Sequence, residues 1–273
     1  MKFLRRSLFA LLIFALGLGA GAFGFRTYLG ALSFDGVAPT GETLLRVDHS
    51  ALQGILDRHL KTDTSDGIYR FDYRAAQSDR AALDAYLTGL QSIDPSILNA
   101  DEALAYWLNF YNAGMIHLVL ARGDYGSVIG DQPYYFLGRH FTVADQPLSL
   151  DQIEHQIIRV QWQDPRIHYA LNCASLSCPN LQPMVFAGAA LDAQLDAAAR
   201  AYINHPRGVA GLEGRRLVVS EIFDWFQEDF GGTDRAVIDH IGRYADAALA
   251  ADLADARRLR LQPYDWALNI TAP

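Results

Sequence analysis

Cysteine is nearly absent from this 273-residue chain; there are two, Cys173 and Cys178. Two cysteines cannot form a disulfide framework around a domain of this size. Nor can they supply the four paired ligands of a thiolate zinc site. Positive charge is also short, with 23 Lys and Arg against 31 Asp and Glu and a net charge of −8. Four of the cations, Lys2, Arg5, Arg6 and Arg26, lie in the first 26 residues, which leaves the remainder at −12. Such a body lacks the basic footprint of a nucleic-acid binder and has no general attraction for anionic lipid. The two-histidine spacing of a metalloprotease helix is missing too. No metal site and no cofactor motif can be completed, so neither is expected. Internal repeats and low-complexity blocks are absent, and residues 46–273 therefore read as one unit.

What is present begins with an apolar run of 18 residues, Leu8 to Phe25, behind Lys2, Arg5 and Arg6. A basic start followed by an apolar stretch is the pattern of a secretory signal or an N-terminal membrane helix. Its length just meets the roughly 20 residues that span a bilayer. The positive residues keep the N-terminus in the cytoplasm and send the rest across. The small residues Ala20-Gly21-Ala22 offer a cleavage site; otherwise the segment stays as an anchor. Residues 1–26 are thus expected to be a signal peptide or anchor, residues 27–45 a linker, and 46–273 one globular domain. The expected location is extracytoplasmic, on the periplasmic side of an inner membrane, with membrane contact through the N-terminal segment only.

Periodicity outlines the domain. Leu83, Leu87 and Leu90 predict a helix over 79–91. Leu104, Trp107, Leu108, Tyr111, Met115 and Leu118 form one stripe of a longer helix from Asp101, read as its N-cap, to Ala121, stopped by Gly123. Tyr106, Phe110, Ala113 and His117 form a second stripe, so this helix is apolar nearly all round and is expected to be buried. A hairpin-like stretch follows at 134–143. Ser149 and Gln152 match a capping box for a helix that turns Ile153, Ile157 and Val160 inward. Residues 166–171 read as a short strand, 189–203 as an Ala-rich helix and 216–219 as a strand. Ser220 caps a helix through Phe230, Thr233 opens one to about Ala254, and 259–261 is a last strand. The fold class is α+β: a helix-rich single domain with a small sheet, preceded by one N-terminal hydrophobic helix.

Three segments concentrate chemistry. His168 through Pro179 holds His168, Asn172, Cys173 and Cys178. A thiol nucleophile needs the thiolate form, which a nearby imidazole or helix N-terminus favours. Cys178 precedes Pro179, a residue favoured at the first helical position. In the second segment, Asp151, His155 and Arg159 fall one turn apart on one helix face, with Glu154 beside them. A carboxylate there can orient an imidazole as general base. In the third, Asn109 and Asn112 interrupt an apolar helix, and buried amides must find partners. They either line a site or tie the helix to a neighbouring loop.

The segments 106–113 (Tyr-Trp-Leu-Asn-Phe-Tyr-Asn-Ala), 153–155 (Ile-Glu-His), 168–179, 220–226 (Ser-Glu-Ile-Phe-Asp-Trp-Phe) and 264–269 (Tyr-Asp-Trp-Ala-Leu-Asn) resemble the domain-of-unknown-function family 547. The resemblance implies that 46–269 is one domain and that the His/Cys segment is a family feature. It implies no activity and supplies no catalytic roles. Two readings remain open. The first is a cysteine-dependent acyl-transfer enzyme: a peptidase, amidase or transglutaminase-like protein acting on a peptide or envelope component. Cys173 or Cys178 is then the nucleophile, His168 or His155 the base, and Glu154 or an asparagine the orienting group. Asn109, Asn112, Arg159 and Asn172 are its candidate binding residues. If 168–173 is a regular strand, His168 and Cys173 point to opposite faces, and His155 replaces His168. The second reading is a non-catalytic envelope binding module with a Cys173–Cys178 disulfide.

Overall fold

The computed structural model describes residues 45–272. The expected signal or anchor at 1–26 and all but the last residue of the expected linker at 27–45 lie outside them. Among the described residues, no helix is long and apolar enough to cross a membrane.

The architecture is helix-rich with small sheets, as expected of an α+β chain. Helix α1 (Ser50–His59) leads into a short antiparallel pair, β1 (Leu60–Lys61) and β2 (Arg70–Phe71). Helices α2 (Tyr73–Ala76) and α3 (Arg80–Gln91) follow, then the long helix α4 (Ala100–Arg122). The Asn99 side chain, not that of Asp101, accepts from the Glu102 N–H at 2.9 Å and caps α4. Gly123, with φ of 66°, ends it in the left-handed conformation that glycine adopts without strain. Burial extends almost all round α4, from Glu102 to Leu120 with only His117 partly exposed.

Residues 133–137 form a π-turn where a hairpin strand was expected; the hairpin itself is β3 (Phe141–Val143) with β4 (Gln146–Leu148). The capping box at Ser149 and Gln152 is complete, and it opens helix α5 over 150–162, whose centre, Ile153–Ile158, is π-helical. Ile153 and Ile157 point inward as expected, but Val160 is exposed and Ile158 takes the buried place. The expected strand at 166–171 is a 3₁₀ turn, Pro165–Tyr169, capped by Asp164. Asp-Pro here works as a helix start, with proline at the first position.

Helix α6 (Leu191–Ile203) precedes a three-stranded sheet of β5 (Val209–Glu213), β6 (Arg216–Ser220) and β7 (Arg258–Gln262). Between β6 and its parallel neighbour β7 lie α7 (Ile222–Trp225), α8 (Asp234–Gly242) and α9 (Ala247–Asp255). A parallel pair needs such a crossover. The helix expected from Ser220 to Phe230 is thus only one turn, and the one expected from Thr233 to Ala254 is two. Asp246 breaks the latter by capping α9 through the Leu249 N–H at 2.9 Å.

Two apolar clusters hold these elements. One surrounds α4, with Trp107, Phe110 and Leu108 at its centre. The other lies under the three-stranded sheet and takes in Tyr169, Tyr202, Phe223 and Phe230. The segment 169–178 runs between them, with Ala170, Leu171 and Ala174 in the first cluster and Tyr169 in the second.

Candidate functional site

Asparagines from α4 fix the thiol-bearing loop. Asn112 donates to the Ala170 carbonyl and accepts from the Asn172 N–H, both at 2.9 Å. Asn109 clamps Phe186 in the same two-point manner, at 2.8 and 2.9 Å. Each amide replaces a strand neighbour for a backbone that has none. The space beside both asparagines is about 10 Å³, room for one water at most. Asn172 is buried and bonds the Pro179 carbonyl and the Ala174 N–H. The loop then pairs with the C-terminal segment: Leu176 donates to Ala267, and Asn269 donates to Ala174.

Cys173 emerges from this frame partly exposed, whereas Cys178 is buried; both are free thiols. Cys173 Sγ lies 3.0 Å from Ser175 Oγ and 3.3 Å from the Tyr264 hydroxyl, and those two oxygens are 3.2 Å apart. The Cys173 N–H donates to Cys178 Sγ at 2.9 Å. Burial pushes the Cys173 thiol up, but hydrogen bonds from Cys178, Ser175 and Tyr264 outweigh it and set it at about 7. Burial and the neighbouring Cys173 charge raise Cys178 well above the ordinary thiol. The same two causes keep the Tyr264 phenol protonated. Cys173 is therefore the more readily ionised thiol of the pair, with neutral hydroxyls beside it.

The histidines lie in a second network. His168 is buried, with Nε2 2.7 Å from Asp229 and Nδ1 3.9 Å from Glu154. Arg159 grips Asp229 bidentately at 2.6 and 2.9 Å. The result holds the Asp229 carboxyl well below the usual range although burial acts against it. Burial pushes Glu154 up and His168 down. His155 Nδ1 accepts from Arg159 at 2.8 Å, and its Nε2 faces Asp151 at 3.5 Å. Burial lowers His155 too. Phe226 stacks on His168 at 3.9 Å between centroids and lies under Arg159.

The residues expected to share one centre are thus divided. Neither His168 nor His155 makes a hydrogen bond, ion pair or ring contact with a thiol. Tyr111 connects the two networks. Its hydroxyl donates to Glu154 at 3.2 Å, and its phenol is raised first by burial, then by the charges of Glu154, Cys173 and Cys178. The dipeptide Trp225-Phe226 connects them as well. Phe226 covers the histidines, while Trp225 packs against Tyr264 and Trp266 at 4.8 and 5.6 Å. Trp225 is 38% exposed, so an aromatic shelf flanks the thiolate.

Sequence reasoning did not single out Ser175 as a partner, nor Tyr111, Tyr264 and Asp229. Tyr264 is 91 residues from Cys173 and Asp229 is 61 from His168, separations that leave no local signal. Among the described residues, no cluster of His, Cys, Asp and Glu forms a metal site.

No curated protein and no solved structure matches the chain. Segments 220–226 and 264–269, which carry the aromatic shelf, lie beyond the stretch that a family model recognises. Residues 95–203, which hold α4, both asparagines, Glu154, His155, His168 and both cysteines, match the family model described as "Protein of unknown function, DUF547".

Proposed function

We propose that this chain is a cysteine-dependent acyl-transfer enzyme with Cys173 as its nucleophile. The observation that carries the reading is the geometry at Cys173, a half-buried residue whose Sγ lies 3.0 Å from the Ser175 hydroxyl and 3.3 Å from the Tyr264 hydroxyl. A thiol that ionises at about pH 7 is in substantial part thiolate there without an adjacent imidazole to remove its proton. Such a thiolate attacks the acyl carbon of an amide or ester, a C–S bond forms, and the bond to the leaving amine or alcohol breaks. The Tyr264 hydroxyl supplies the proton that the leaving group takes. Incoming water then returns a proton to Tyr264 as it displaces the thiolate, and the carboxylic acid departs. Trp225, stacked on Trp266 and packed against Tyr264, offers an exposed aromatic surface near this point, suited to an extended peptide or a sugar face. In this reading the Glu154–His168–Asp229–Arg159 network positions Tyr111 and α5 and does not exchange protons with substrate.

The basic start and apolar run of residues 1–26 support a location outside the cytoplasm, with a peptide or envelope component as substrate. The alternative, a binding module with a Cys173–Cys178 disulfide, draws support from the closeness of Cys178 Sγ to the Cys173 backbone. Incubation with a chromogenic acetyl ester, followed by intact-mass and peptide mapping, tests the enzyme. One acetyl group on Cys173, absent from Cys173→Ser, is the expected result. Acetylation spread over lysines and unchanged in the variant contradicts it.

A further inference from the structure

A cleft of about 700 Å³ opens at the end of the three-stranded sheet, lined by Glu213, Gly214, Arg215, Arg216, Arg257, Arg258 and Arg260. It shares no residue with the thiol network. In a chain of net charge −8, five arginines here surround one glutamate. Register brings them together. Arg216 is the direct partner of Arg258 across the parallel pair and of Glu213 across the antiparallel one. Arg260, two residues beyond Arg258, shares its face. The turn joins in because the Arg215 carbonyl accepts from the N–H groups of Arg257 and Arg258.

The glutamate is engaged by Arg260. Arg257 caps the carbonyls of Ala254 and Ala256 at 2.8 and 2.7 Å. Among the described residues, no ion pair reaches Arg215, Arg216, Arg257 or Arg258. Like charges directly opposite one another destabilise a sheet, so the Arg216–Arg258 pair costs stability until an anion lies between the two.

We infer that this cleft binds a small polyanion bearing two or more phosphoryl groups. Guanidinium forks match phosphate oxygens bidentately, and forks arriving from a turn and two strands suit a tetrahedral acceptor better than a planar carboxylate. The volume falls within the roughly 300–1,000 Å³ of small-molecule sites and exceeds the needs of one phosphate. The acidic remainder of the body argues against nucleic acid. Leu261, the exposed apolar residue of β7, lies on the other face of the strand, which argues against a lipid surface.

Calorimetric titration of the full chain, held in nanodiscs of zwitterionic lipid, with inorganic tripolyphosphate tests this. Citrate and phosphatidylglycerol vesicles serve as comparison arms. The expected result is saturable binding of tripolyphosphate, at least ten-fold weaker binding of citrate, and loss of ten-fold or more in Arg216→Gln and Arg258→Gln. Glu213→Gln removes the competing anion and should tighten binding several-fold, a gain that misfolding cannot produce. The inference is overturned by absence of tripolyphosphate binding, by variants that bind as the parent does, by citrate binding equally, or by vesicles binding where tripolyphosphate does not.

Discussion

Ala174 follows the proposed nucleophile with φ of 61° and is fully buried. An L-residue in the left-handed region costs roughly 1–2 kcal/mol. Here the surrounding hydrogen bonds hold it: Asn172 accepts its N–H and Asn269 donates to its carbonyl. That turn aims Cys173 at Ser175 and Tyr264 instead of along the chain. Glycine at 174 should fold within about 1 kcal/mol of the parent, since relief of strain offsets lost burial and added chain freedom. Valine should cost at least about 2 kcal/mol, because a β-branched residue resists positive φ and no space surrounds it. Urea melts of Ala174→Gly and Ala174→Val check the pair; equal stability of the two contradicts the strained-turn account. The small side chain at 174 is visible in the sequence, but its backbone conformation is not, because nothing local distinguishes it from an extended residue.

Among the elements, α4 is the most legible, since an apolar run of this length bounded by Asn99 and Gly123 allows few alternatives. Its N-cap is misread by two residues because Asp101 is also a good capping residue. The 3₁₀ turn at Pro165–Tyr169 is misread as a strand because the segment follows Asp164-Pro165, which reads as a turn before a strand, although its alternation is weak. The capping role of Asp164, accepting from the Arg166 N–H at 2.9 Å, settles it as a turn. Asn112 joins these elements. Asn112→Ala leaves the Ala170 carbonyl and the Asn172 N–H unpaired in the interior, each costing about 1–3 kcal/mol. A loss of about 2–4 kcal/mol is expected, read as a lower denaturant midpoint at unchanged slope. A shift below about 0.5 kcal/mol contradicts the clamp.

At the scale of the whole molecule, the thiol site draws on residues that the chain holds far apart: Cys173, Tyr264 and Trp225, with Tyr111 behind them. A single sequence shows the Cys/His segment because its polar groups are adjacent, but not that His168 turns away toward Asp229. Pairing by proximity in sequence fails here because the 3₁₀ turn redirects the imidazole. The family motifs and helical periodicity begin only after about residue 46, and among the described residues both cores draw on Val47 and later positions. Removal of residues 1–32 should therefore leave a domain with one cooperative thermal transition by circular dichroism; a broad, non-cooperative melt contradicts this. The most direct test of Cys173 as the activated thiol is its alkylation rate by iodoacetamide as a function of pH, with sites assigned by peptide mass. The account predicts that Cys173 is labelled without prior reduction and long before Cys178, with a midpoint at about pH 7. In Tyr264→Phe one donor to the thiolate is lost, and the midpoint should rise toward the ordinary thiol value of about 8.5. A midpoint near 8.5 in the parent, or labelling that begins only after reduction, contradicts it.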